Sequence, residues 1–139
     1  MASDYPIRLG MLLRQAHRRA AVAADEALSE FGVSGRHLGV LTALRDGPLS
    51  QQELVTALRS DKASMVRSVD HLENLGYVQR APVREDRRLH AVSLTARGRT
   101  VLHDAIDAAR AMAEELTSGF TPAERETFVE LLGKFVGEH

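Results

Sequence analysis

Five residues of the kind that cap helices, Ser34, Ser50, Asp61, Thr95 and Thr121, each precede an apolar stretch of helical period. Together they divide most of the chain into helices. The signal is strongest at Ser50, with Glu53 three residues on, and at Thr121, followed by Pro122 at the first helical position and then by Glu124. Gly32, Gly47-Pro48 and Gly76 supply the matching stops. Before the first of these caps, Ile7 to about Phe31 reads as one Pro-free helix carrying Leu9, Leu12, Leu13, Ala16, Ala20, Ala23, Ala24 and Leu28. The helix opened by Ser34 carries Leu38, Leu41 and Leu44 on one side, with Val40 beside them and Gly47-Pro48 as its end. Ser50 opens a short helix with Leu54, Val55 and Leu58, and Asp61 opens a longer one whose inward side is Met65, Val69 and Leu72. Thr95 begins a stripe of Leu102, Ala105, Ile106, Ala109, Met112, Ala113 and Leu116; Thr121 begins one of Phe128, Leu131, Leu132, Phe135 and Val136.

Only one region breaks this pattern. Tyr77–Val83 and His90–Leu94 are short and β-compatible, and they flank a charged tip of Arg84, Glu85, Asp86, Arg87 and Arg88. The tip is longer than a tight two-residue turn. The expected order is helix, helix, short strand or turn, helix, helix, hairpin, helix, helix. The fold class is therefore mainly α with a small β-hairpin wing: a winged helix-turn-helix over residues 34–95, a dimerisation helix over 1–33 and dimerisation helices over 96–139, in one integrated domain. The flanking helices carry apolar faces that so small a lobe cannot cover, and a second copy of the chain is the simplest cover.

Composition agrees and narrows the function. With no Trp, two Tyr and four Phe in 139 residues, the core is built from Leu, Val and Ala, which suits packed helices. The absence of cysteine removes disulfides, thiolate metal sites, cysteine nucleophiles and thiol-based oxidant sensing together. No apolar run reaches the roughly 20 residues needed to cross a bilayer, and the N-terminus has no charged region leading into an apolar one, so a cytoplasmic protein without membrane contact is expected. The six histidines are scattered with no local pair at ligand spacing, so neither a metal nor a cofactor is expected. No nucleophile–base pairing, Gly-rich phosphate loop or catalytic carboxylate cluster is present, and an enzyme is not expected.

The net charge of −1 conceals an asymmetry. Residues 1–103 hold 15 Lys and Arg against 11 Asp and Glu, whereas residues 104–139 hold 3 against 8. A local basic face, not net charge, is what a phosphate backbone requires. The helix pair joined at Arg59-Ser60 has helix-turn-helix dimensions, in which the start of the second helix enters the major groove. With Met65, Val69 and Leu72 inward, its outward face would present Lys62, Ala63, Ser64, Arg67, Ser68 and His71. Lys and Arg donate to guanine, Ser serves either kind of base edge, and the Ala63 methyl can touch thymine. At the hairpin tip Arg84, Arg87 and Arg88 suit the enhanced negative potential of a narrow minor groove, with a carboxylate such as Asp86 steadying a guanidinium. A solvated amphipathic helix and a solvated loop are the plain alternatives, and a winged-helix module that binds protein instead of nucleic acid is a third.

The run Asp86-Arg87-Arg88-Leu89-His90-Ala91-Val92-Ser93-Leu94-Thr95-Ala96-Arg97-Gly98 resembles the wing signature of the MarR family, an Asp-x-Arg followed by a strand ending in Leu-Thr-x-x-Gly. Asp70-His71-Leu72-Glu73-Asn74-Leu75-Gly76-Tyr77-Val78 is similar to that family's recognition-helix ending, and Gly47-Pro48-Leu49-Ser50-Gln51-Gln52-Glu53-Leu54 to the entry of its third helix. The resemblance implies a triangular homodimer on double-stranded DNA, bound at a pseudo-palindromic operator and often repressing its own or a neighbouring gene. By position it makes Arg88 the minor-groove arginine and Asp86 its partner, puts Ser50, Gln51 and Gln52 near phosphate, and turns Lys62, Ala63, Ser64 and Arg67 toward bases. Val66 departs from the small polar residue frequent there. It also implies an aromatic or anionic effector in a cleft between the dimer helices and the DNA-binding lobe, bordered by Arg14, His17, Arg18, His37 and His103.

Overall fold

The computed structural model describes residues 4–83 and 86–138. Helix α1 spans Tyr5–Leu28, and its continuation Ser29–Phe31 tightens into a single 3-10 turn before Gly32 closes it in the left-handed conformation, φ 73°. Helix α2 covers Gly35–Ala43, ending short of the expected Gly47-Pro48 because the chain turns at Leu44, whose side chain drops into the core. Strand β1, Leu49–Ser50, leads directly into α3, Gln51–Ala57, and the next helix, α4, is Lys62–Asn74. Strands β2, Val78–Val83, and β3, Asp86–Leu94, precede α5, Ala96–Leu116, and α6, Pro122–Val136. The sheet is antiparallel in the order β1-β3-β2, with Leu49 opposite Val92 and Val78 opposite Leu94.

The hairpin differs from its sequence expectation in one respect. Strand β3 begins at Asp86, not near His90, so Asp86–Arg88 belong to a strand backbone and not to a long loop. Pairing explains the extension: Val83 sits opposite Asp86, with a shift of register between Pro82 and Val83. The pairing with Val83 draws Asp86, a residue of low strand propensity, into the ladder, and the shift of register is taken up between Asp86 and His90.

The caps act as their spacing requires. The Ser50 hydroxyl accepts from the Glu53 N–H at 3.1 Å while the Glu53 carboxylate accepts from the Ser50 N–H, and Thr121 and Glu124 repeat the exchange. Asp61 accepts from the Ser64 N–H at 2.8 Å. Thr95 both accepts from the Gly98 N–H and donates to the Gly76 carbonyl at 2.6 Å, locking the start of α5 against the end of α4. Here α5 passes so close that a Cβ on Gly98 would stand 1.9 Å from the Tyr77 carbonyl oxygen, which accounts physically for a glycine at that place.

One core binds these pieces. Leu28, Val40, Leu41, Leu44, Leu54, Met65, Val69, Leu72, Val78, Val92 and Leu102 are all buried, drawing α1 through α5 and the sheet around α4. Buried Tyr77 joins α1 to this centre by donating its hydroxyl to the Phe31 carbonyl at 2.7 Å. Outside it lie the N-terminal half of α1, the far half of α5 and all of α6, which buries no residue. Among the described residues no helix is long and apolar enough to cross a membrane, and no group of three His, Asp or Glu could hold a metal ion.

Candidate nucleic-acid interface

Helices α3 and α4 are joined by Leu58-Arg59-Ser60-Asp61 in a tight turn, with Arg59 left-handed at φ 51°. Met65, Ser68, Val69 and Leu72, spaced three and four apart, seal one side of α4 against the core. What remains outward at its N-terminal end is Lys62, Ala63 and Arg67, all exposed. Ser64 is half-buried, donating its hydroxyl to Asp61 Oδ2 at 2.8 Å and accepting from Arg67 Nη2 at 3.1 Å. The Ser64 N–H, and after it the Ser64 hydroxyl, donate to the charged carboxylate and hold the Asp61 carboxyl below the usual carboxylate value, aided by the nearby Arg67. The first two turns of α4 therefore present two cations, Lys62 and Arg67, on a pre-set frame near the positive end of a helix.

Of the residues assigned outward by sequence, Ser68 is placed otherwise and His71 is exposed but hydrogen-bonded. Ser68 is only 3% exposed: it continues the stripe of Met65 and Leu72, and its small hydroxyl fits where a larger polar group would not. His71 turns its ring back toward the body, donating from Nε2 to the Gly32 carbonyl at 2.8 Å and stacking on His37 with centroids 4.5 Å apart. It braces α4 against the α1–α2 junction while remaining exposed.

Ser50 and Gln51, expected near phosphate, have structural partners. Ser50 is occupied as the cap of α3, and half-buried Gln51 accepts from Arg80 Nε at 2.9 Å, while Gln52 is exposed. Arg80 is the residue that sequence reading missed. From β2 its Nη2 meets Asp70 at 2.7 Å and its Nη1 meets Glu73 at 2.8 Å, so one guanidinium ties α3, α4 and the wing strand together. The fork geometry of guanidinium makes such a three-way junction possible. Standing between Gln79 and Ala81 on a strand, Arg80 carried no advance signal of this role. Arg84 lies outside the described residues, as do the side chains of Asp86, Arg87 and Arg88, whose backbone belongs to β3.

The five candidate effector residues do not converge. A groove of about 840 Å³ runs between α1 and α5, lined by Arg18, Arg19, Val22, Ala108, Met112 and Glu115 among others. Of the five, Arg18 alone is on its wall. Arg14 and His17 are exposed elsewhere on α1, and exposed His103 faces Asp104 and Asp107 of its own helix. His37 is engaged with His71 and with the Ser34 N–H at 3.0 Å. The separation follows from helix geometry: His103 is near the lobe end of α5, whereas the groove walls begin at Ala108.

A two-helix reader with an outward basic start to its second helix, a strand hairpin beside it and long flanking helices defines a winged helix-turn-helix transcriptional regulator, a class that is not enzymatic. The chain belongs to the MarR family, whose profile matches residues 31–89. It is 32% identical to the HTH-type transcriptional repressor NicR of Pseudomonas putida, over 96% of this chain and 85% of that one. Among solved structures it is similar to a mutant of Escherichia coli MarR complexed with operator DNA, at 27% identity and TM-score 0.84, covering 95% of this chain and 96% of that one. It is similar also to Bordetella bronchiseptica BpsR, from a study of how 6-hydroxynicotinic acid regulates that protein's DNA binding, at 28% identity and TM-score 0.84, covering 94% of each chain.

Proposed function

We propose that this protein is a ligand-responsive repressor that binds a pseudo-palindromic operator as a homodimer. Each copy places the N-terminal two turns of α4 in the major groove, with Lys62, Ala63 and Arg67 toward base edges, and brings the β2–β3 wing to the adjacent minor groove, where Arg84, Arg87 and Arg88 supply the cations and Asp86 orients Arg88. The observation that carries the reading is the division of α4 into a sealed side and an exposed basic start. The operator-bound relative supports the DNA partner, and the relative named a repressor supports the sign of regulation. Dimerisation is supported by the large apolar side chains left uncovered on α1 and α6, including Ile7 at 69% and Phe135 at 62% exposure.

For the effector, the relative controlled by 6-hydroxynicotinic acid supports a small anionic aromatic compound, and Arg18 in the α1–α5 groove offers the complementary charge. The test is selection of bound duplex from a random pool, then footprinting with and without 6-hydroxynicotinic acid. Protection of two half-sites about 34–36 Å apart is expected, as two-fold symmetry dictates. Failure to retain any duplex at low salt would sink the proposal; protection of a single asymmetric site would sink its dimeric part. Protection unmoved by this acid and by related aromatic acids would remove the effector from it.

A further inference from the structure

Between α3 and α4, Arg59 is the only non-glycine with positive φ among the described residues. A left-handed backbone at an arginine is uncommon, and a glycine would hold that turn more easily. The side chain shows what the arginine is there to reach. Its Nη1 donates to the Val136 carbonyl at 2.7 Å, across 77 residues of sequence, and its Nη2 lies 3.5 Å from the Gly137 carbonyl. Val136 is the last residue of α6 and Gly137 its left-handed cap, so these oxygens sit at the negative end of a helix, where carbonyls lack helical partners and a cation is favoured. The contact joins the turn of the DNA-reading unit to a helix that otherwise buries nothing in its own chain.

We propose that Arg59 is a positioning residue: by gripping the end of α6 it fixes the helix-turn-helix relative to the dimer frame, and so sets the half-site spacing that the dimer accepts. The inference rests on the reading of the protein as an operator-binding homodimer. If α6 is held by a second copy, its C-terminus is a fixed point of the assembly. Arg59 stands two residues before Asp61, the cap of α4. Freeing Arg59 therefore frees the start of α4, the end that meets the bases. With its Nη1 donating to the Val136 carbonyl, the role assigned to Arg59 is to position the helix-turn-helix and not to contact phosphate.

The experiment compares the wild-type chain with Arg59→Ala, Arg59→Gly and Arg59→Lys on the selected operator and on versions with one base pair added or removed between half-sites. The wild type should discriminate against altered spacing by about 10-fold, a normal coupling between linked sites, and Arg59→Ala and Arg59→Gly by less than about 3-fold. The slope of log affinity against log salt should stay at the wild-type value in all variants. Arg59→Gly suits the positive φ, so it keeps the turn folded while removing the grip. Arg59→Lys, able to reach one carbonyl, should restore part of the discrimination. Unchanged discrimination in both the Ala and Gly variants overturns the inference, as does a slope lowered by about 0.9 per lost contact, which would make Arg59 a phosphate ligand. A wild type that binds no duplex overturns the operator reading itself, a different result from a wild type that binds and a Gly variant that matches it.

Discussion

The lobe around α4 and the helices that flank it obey the same patterning rules and end in opposite states. Leu41, Leu54, Val69, Leu72 and Val92 in the lobe are wholly buried, each inside a shell supplied by its own chain. Leu131, Leu132, Phe135 and Val136 on α6 form an apolar face at helical spacing, yet all are exposed. Periodicity therefore reveals that a face must be covered, but not by whom. The lobe is complete in one chain; the extensions are half of an interface that a second copy is proposed to finish.

The comparison breaks first at its most buried point. Leu72→Ala should destabilise the protein by about 3 kcal/mol, as a fully enclosed leucine leaves a cavity that its neighbours fill poorly. Denaturant unfolding measures it, and a loss below about 1 kcal/mol would mean that the lobe core is looser than its burial implies. Next is Arg80→Ala, which strands Gln51, Asp70 and Glu73. A cost of about 1–2 kcal/mol is expected, held down because both carboxylates remain in contact with water. Hydrogen exchange should quicken in β2 before it quickens in α5.

Third, Leu131→Asp with Phe135→Asp should cost under about 0.5 kcal/mol in samples diluted to monomer, since both side chains already face solvent there. The same pair should turn a dimer into a monomer in sedimentation. Equal losses for the core and α6 variants in dilute solution would erase the distinction between the two regions.

What was readable in advance follows the range of each interaction. Ser50, Asp61, Thr95 and Thr121 were legible because a cap and its acceptor lie within three residues. Ser68 was misplaced because its polarity was weighed above its spacing, although positions 65, 68, 69 and 72 form one helical stripe. Arg80 escaped notice because its partners stand 7, 10 and 29 residues away and meet only after folding. The same holds for His71, whose carbonyl partner is 39 residues distant. The start of β3 at Asp86 was hidden because cross-strand pairing, not the residues' own preference, decides it.

The smallest expected effect tests whether the lobe is self-contained in its electrostatics as well as its packing. His37 Nδ1 accepts the Ser34 N–H at 3.0 Å, which requires that nitrogen to be unprotonated. Burial lowers the His37 pKa from its ordinary value of 6.5, with His71 across the stack and Arg36 beside it adding repulsion. The unfolded chain thus binds the proton more readily than the folded one. Stability from this site is therefore complete above about pH 6.5 and is lost as pH falls through the lower folded value. His37→Gln replaces the ring with an amide that can accept the same N–H but does not titrate, so the decline in Tm between about pH 7.5 and 5.5 should become shallower. Because both rings of the stack belong to one chain, the Leu131→Asp and Phe135→Asp background should leave that flattening intact. A pH slope identical in wild type and His37→Gln would show that the cap tolerates the proton, and a flattening lost in the monomeric background would show that the second copy, not the lobe, governs this histidine.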